Sequence, residues 1–157
     1  MKYIEAPDED KEIRIFLAGG ITGCPNWQLA LTVKLEKMDI TLYNPRRANF
    51  PMGNKGEGLK QVKWEVEHLD KADAIVFWFP KETLCPITLF ELGSWSMTSK
   101  PIFVGCHPDY QRRFDVETQL SIRRPEIEIV YSLDSLSKQI MLWVIGKRVD
   151  KKGLNRK

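Results

Sequence analysis

The chain has 157 residues, 43% of them hydrophobic and 29% charged. That length amounts to about one domain; it buries a core without disulfide or metal staples, and the composition excludes a disordered chain. No apolar run approaches the roughly 18 residues of a membrane span, and 24 basic against 21 acidic residues leave a net charge of +3, whose position along the chain decides its meaning.

The charge is uneven. Residues 147–157 hold six basic residues and one acidic residue, so the first 146 hold 18 basic against 20 acidic. The basic tail carries no aromatic residue of the kind that interleaves with positive charge on a nucleic-acid face. No specific nucleic-acid partner and no membrane partner are therefore expected. The opening Met1–Arg14 is acidic and polar, unlike a secretory signal. Three widely spaced cysteines, Cys24, Cys85 and Cys106, make no disulfide framework, so a reduced, cytoplasmic protein is expected.

Five short apolar runs alternate with helix-like segments. The first, Ile13–Ala18, ends in Gly19-Gly20. A helix follows from Trp27 to Met38, with Leu31, Leu35 and Met38 at helical spacing. The second run, Ile40–Tyr43, ends in Asn44-Pro45. The Gly-rich stretch Ala48–Gly58 is either a plain surface loop or a flap over a site. Leu59–Asp70 is the second helix, with Leu59, Val62, Val66 and Leu69 on one stripe. The third run, Ala74–Phe79, ends in Pro80, and a helix from Pro86 to Thr98 follows. The fourth run is Pro101–Gly105, followed by a short helix, Val116–Arg123. The fifth, Ile127–Tyr131, alternates and suits an edge strand; the helix Ser132–Lys147 closes the order.

This alternation predicts an α/β fold: a three-layer, doubly wound, five-stranded parallel sheet with helices on both faces. Residues 1–147 form the single domain, and residues 148–157 a basic, disordered tail. In such sheets ligands bind beyond the carboxyl ends of the strands, near the switch point. Gly19 and Gly20 stand there, where the absence of side chains lets a flat ligand lie against the backbone. Their loop matches neither the dinucleotide nor the ATP phosphate pattern. Asn44 and Arg46, with Arg47, stand at the second strand's carboxyl end, where a polar or anionic ligand group would lie.

Glu91 lies inside a mostly apolar helix just after the third strand. Its neighbours one turn away are Ile87, Thr88, Ser94 and Trp95, none of them basic. A carboxylate so placed costs stability unless it is paired or used. Ser94 and Gly93 are small and leave space beside it. Glu65 flanks the stripe of the preceding helix, whereas Glu67 sits one turn from Lys63 and Lys71 as a solvated ion pair. Two carboxylates facing one site suit glycosidic-bond chemistry. No zinc spacing accompanies the cysteines, and no metal or cofactor is expected.

These residues resemble a known family. Ile15–Gly20, Trp64-Glu65 with Ala72-Asp73, Phe79-Pro80 to Cys85-Pro86, Phe90–Gly93 and Lys100-Pro101 are similar to the nucleoside 2-deoxyribosyltransferase-like family, in particular its phage and bacterial branch. The resemblance implies a flavodoxin-like sheet and a small-molecule nucleoside or nucleotide ligand. It implies a retaining mechanism, with Glu91 as nucleophile and Glu65 as acid/base group. Glu65 stands eight residues before Asp73, where the family's transferases carry an aspartate. Those transferases also carry a sugar-orienting aspartate six residues before the nucleophile, and that position here is Cys85. Gly19, Gly20 and Trp27 or Trp64 would flank the base, and a second subunit would complete the site in a homo-oligomer. The expected reaction is transfer of deoxyribose between nucleobases. The alternatives are a deoxynucleoside 5′-monophosphate N-glycosidase, with Arg46, Arg47 or Ser94 on the phosphate, a hydrolase of an NAD-like glycosidic bond, and a non-catalytic nucleotide sensor.

Overall fold

Alternating residues of Ile13–Gly19 face two different cores, and the rest of the chain is arranged around that strand. In a computed structural model that describes residues 2–3, 13–49 and 51–154, the elements run in order. They are β1 (Lys2–Tyr3), β2 (Ile13–Gly19), α1 (Trp27–Lys34), β3 (Ile40–Tyr43), α2 (Lys55–Lys71), β4 (Ala74–Phe79), α3 (Pro86–Ser96), β5 (Ile102–Cys106), α4 (Arg113–Arg123) and α5 (Leu133–Leu154). The sheet order is β1-β3-β2-β4-β5, and every pairing is parallel. The architecture is consistent with a Rossmann or flavodoxin-like fold.

One face of the sheet presents Ile15, Leu17, Leu42, Val76 and Trp78 to Leu31 and Leu35 at the α1 side and to Leu136, Ile140 and Val144 of α5. The other presents Phe16, Ala18, Ile75, Phe77 and Phe79 to Leu69 of α2, Leu92 of α3 and Val116 and Leu120 of α4. The period of two along each strand divides the side chains between these cores. Helices on both faces explain why β4 is buried at all six positions and is apolar without interruption. Each fully buried Leu or Phe contributes about 2 kcal/mol.

The fifth expected strand is not one. Ile127–Tyr131 meets β5 at a single bridge, Val130 opposite Gly105. Only two backbone bonds are made there, Cys106 N to Val130 O (2.9 Å) and Val130 N to Val104 O (3.1 Å). A turn precedes it, with Ile127 N donating to Arg124 O (3.0 Å), and α5 begins at Leu133, so no length is left for a ladder. The sheet therefore has four strands of four residues or more, extended beyond β3 by the two-residue β1, where no strand was expected.

Two further boundaries differ from expectation. The stretch 48–58 is loop only as far as Asn54, whose side chain accepts from Gly56 N (3.0 Å) and Glu57 N (3.2 Å) and starts α2. α5 continues past Lys147 to Leu154, and Arg148 Nη2 donates to Asp39 O (2.6 Å). Residues 155–157 lie outside the described residues.

The chain turns to opposite sides of β2, with β3 on one edge and β4 on the other, so the crevice opens above the carboxyl ends of β2 and β4. α2 and α3 flank it. Lys100 ties these two helices together. Its Nζ donates to Leu69 O (2.6 Å) and Asp70 O (2.9 Å) at the end of α2, where a cation suits the helix dipole, and it lies 4.3 Å from the Trp95 ring centre on α3. No helix among the described residues is long and apolar enough to cross a membrane.

Candidate active site

A cavity of about 350 Å³ occupies this crevice, and Glu65 and Glu91 both line it together with Gly19, Gly20, Cys85 and Thr88. Glu91 arrives from α3, which starts abruptly. Cys85, just before the helix, is the one non-glycine described residue with positive φ (53°), and Pro86 takes the first helical position. Tyr110 fixes that start: its hydroxyl donates to Leu84 O (2.8 Å), and its ring lies 5.0 Å from that of Phe79. Glu65 arrives from α2, where Gln61 one turn earlier donates Nε2 to Glu65 Oε1 (2.8 Å) and to Pro45 O (2.9 Å).

Neither carboxylate has an ion-pair partner among the described residues. Burial pushes Glu91 up to about 7, and the nearby Glu65 charge adds to that rise. Burial also raises Glu65, while the Gln61 hydrogen bond opposes the rise. Two like charges in a desolvated space do not both ionise easily, so the pair holds a proton toward neutral pH. One carboxylate is then free to attack or accept a proton while the other donates one.

Gly19 and Gly20 line the cavity, and the protein's own packing also excludes a side chain at each. A Cβ on Gly19 would run into the Trp27 ring and lie 2.6 Å from Trp78 O. A Cβ on Gly20 would lie 2.8 Å from Pro80 Cγ, 2.9 Å from Thr83 Cγ2 and 3.0 Å from Cys85 Sγ. The protein's own packing fills both positions. Trp27 is buried beneath the loop, with its Nε1 donating to Gly20 O (2.8 Å), and does not line the cavity.

Cys85 is buried at the cavity wall. Its Sγ donates to Thr83 O (3.5 Å), the Gly20 N–H points at it, and burial pushes the thiol up to about 12, so it stays neutral. Cys24 and Cys106 are also free thiols, and no group of three His, Cys, Asp or Glu among the described residues is arranged to hold a metal.

Asn44, Arg46 and Trp64 line a neighbouring cavity of about 510 Å³. Asn44 Oδ1 accepts from Arg46 N (2.9 Å) and shapes the turn. The Arg46 guanidinium donates to Pro25 O (3.0 Å), Gln28 Oε1 (3.1 Å) and Cys24 O (3.0 Å), which fastens the loop before α1. Trp64 stacks on His68, with ring centres 4.0 Å apart. Ser94 is exposed, bonds Phe90 O (3.0 Å) and lines neither cavity. Sequence reasoning missed Gln61, Thr88 and Tyr110. The one-turn spacing of Gln61 and Glu65 was visible; the Tyr110 bond, to a carbonyl 26 residues away, left no local trace.

The Glu91 proton predicts a pH dependence of stability. The folded chain holds that proton up to about pH 7, whereas an unfolded chain releases it near about 4.3. Between those values the folded state binds more protons than the unfolded state, so this contribution to stability falls as pH rises. Glu91→Gln removes the dependence. Urea unfolding from pH 4 to 8 should show the variant gaining on the parent, to about 1–3 kcal/mol at pH 8, with no gain below about pH 4. A constant difference across that range would refute the buried, proton-sharing Glu91.

No match is found among curated proteins. A family model described as "Nucleoside 2-deoxyribosyltransferase like" matches residues 12–110. The match begins just before β2, includes both glutamates and ends on the tyrosine that fixes the start of α3. It covers well over half of the chain, which therefore belongs to the nucleoside 2-deoxyribosyltransferase-like family.

Proposed function

We propose that the protein cleaves the N-glycosidic bond of 2′-deoxynucleosides and transfers the deoxyribose to a second nucleobase through an ester on Glu91. Family membership supports a nucleoside-related glycosyl-transfer role. The observation that carries the finer reading is the convergence of Glu91 and Glu65, from two helices, on one cavity without a counter-cation.

In the state in which the pair's shared proton has passed to Glu65, ionised Glu91 attacks C1′ as the C1′–N bond breaks, and the electron pair of that bond leaves with the base. Gln61 occupies Glu65 Oε1, which leaves Oε2 to carry the proton that the departing base takes. An incoming base then attacks C1′, loses its proton to Glu65, and the ester bond returns its electrons to Glu91. With water in place of the second base, the same steps give hydrolysis. Cys85, neutral and occupied by backbone groups, gives the sugar hydroxyls no carboxylate, a specific reason to keep hydrolysis as the second reading.

A second copy of the chain is the proposed cover for the cavity mouth. Leu59, Val62 and Val66 on α2 and Ile87 and Phe90 on α3 are each more than half exposed, and Ile87 also lines the cavity. Monomers rarely leave such a patch beside a site uncovered.

Two experiments test these readings. Incubation with a deoxynucleoside and a different free base, followed by chromatography, should yield the exchanged nucleoside, and Glu91→Gln should lower the rate at least 10³-fold, as expected for a lost nucleophile (about 4 kcal/mol). Free base without exchange would select hydrolysis, and unchanged activity in the variant would remove Glu91 from the mechanism. Light scattering should give a multiple of 18.2 kDa, reduced to one chain by Phe90→Glu; a monomeric parent would contradict the covered mouth.

A further inference from the structure

Thr88 lines the glutamate cavity one turn before Glu91 on α3, and only 4% of it is exposed. Its hydroxyl has no hydrogen-bond partner among the described residues, which sets it apart on its own helix. Ser94 donates to Phe90 O (3.0 Å) and Ser96 to Gly93 O (2.9 Å), the backbone bonds by which helical hydroxyls are ordinarily satisfied. The carbonyl one turn before Thr88 is Leu84 O, and Tyr110 donates to it instead (2.8 Å). A buried hydroxyl without a partner costs stability unless a ligand or water takes the bond. Gln139 Oε1 is the one side-chain nitrogen or oxygen sealed from solvent without a partner among the described residues, so the Thr88 hydroxyl opens onto the cavity.

The chemistry of the cavity says which ligand group would take that bond. Glu91, in forming an ester at C1′, attacks the face of the sugar ring opposite the base. In a 2′-deoxynucleoside the 3′-hydroxyl stands on that same face, whereas the 5′-carbon stands on the base's side. A side chain one helical turn from Glu91, with Cβ atoms about 5–6 Å apart, therefore meets the 3′ edge of the ring rather than its 5′ arm. A threonine hydroxyl both donates and accepts, as a sugar hydroxyl does. Cys85, which also lines the cavity, already donates its thiol to Thr83 O (3.5 Å).

We propose that Thr88 is a specificity-determining residue whose hydroxyl binds the 3′-hydroxyl of the sugar and so holds C1′ at Glu91. The proposal rests on the glycosidic reading of this cavity. A neutral hydroxyl, rather than a carboxylate, then orients the sugar.

The test uses the full chain carrying Glu91→Gln, which prevents turnover during titration. Calorimetry ranks the four common 2′-deoxynucleosides, and the best-bound is compared with its 3′-deoxy and 5′-deoxy analogues. The 3′-deoxy analogue should bind at least about fivefold more weakly, as expected when a buried hydroxyl is left unpaired. Thr88→Val, which keeps the shape and loses the hydroxyl, should remove that gap and leave any 5′ gap unchanged. Thr88→Ser, which keeps the hydroxyl, should keep the 3′ gap. Each gap is a ratio of two ligands on one variant, so partial misfolding does not imitate its loss. Equal affinities with Thr88 in place, no binding of any nucleoside, a 3′ gap that survives Thr88→Val or is lost in Thr88→Ser, or a change confined to the 5′ gap would each overturn the proposal. Base release by the chain with Glu91 intact is scored separately. A 3′ gap that depends on Thr88 without base release keeps the sugar contact and defeats the glycosidic chemistry; base release with no such gap does the reverse.

Discussion

The site depends on two half-buried carboxylates that share one cavity without a cation. Glu91 and Glu65 enter one desolvated cavity with no cation to neutralise them, which raises the proton affinity of both. The helices that carry them are held by contacts far from the glutamates themselves. Lys100 binds the end of α2 and lies against Trp95 of α3. Tyr110 fixes the carbonyl of Leu84 and with it the left-handed Cys85 from which α3 departs. The apolar sheet beneath supplies the rigid base that such a destabilising pair requires.

Much of this was legible in the sequence. β4 is apolar without a break because helices cover both of its faces, and that pattern alone marks it as an interior strand. Glu91 stood out because no basic residue lies one turn away, and its cavity proved to hold no basic partner either. At other positions the structure adds a packing role that the sequence did not show. Gly19 and Gly20 do need to be glycines, but it is Trp27, Pro80, Thr83 and Cys85 that exclude a side chain there. Trp27 suggested a base-stacking ring and is instead a core residue bonded to Gly20 O.

What remained hidden is non-local. The apolar alternation of Ile127–Tyr131 is real, since Val130 is buried, yet a single bridge is all that the adjacent turn and α5 allow. The Glu57 bridge between Lys60 and Arg47 depends on the loop 44–49 folding back over the first turns of α2, which periodicity does not encode. Gln61 bonds both the loop at Pro45 and Glu65, a link between α2 and a carbonyl 16 residues earlier that periodicity does not encode either.

The central claim is that Glu91 titrates as one half of a half-buried carboxylate pair. Carbon-13 NMR of the glutamate side-chain carboxyls, followed across pH in the parent and in Glu65→Gln, measures it directly. The account predicts a Glu91 midpoint near 7 in the parent, lower in Glu65→Gln because the neighbouring charge is gone, and still above the ordinary carboxylate range because burial remains. A Glu91 midpoint at about 4.3, the ordinary value, or one unmoved by Glu65→Gln, would contradict it.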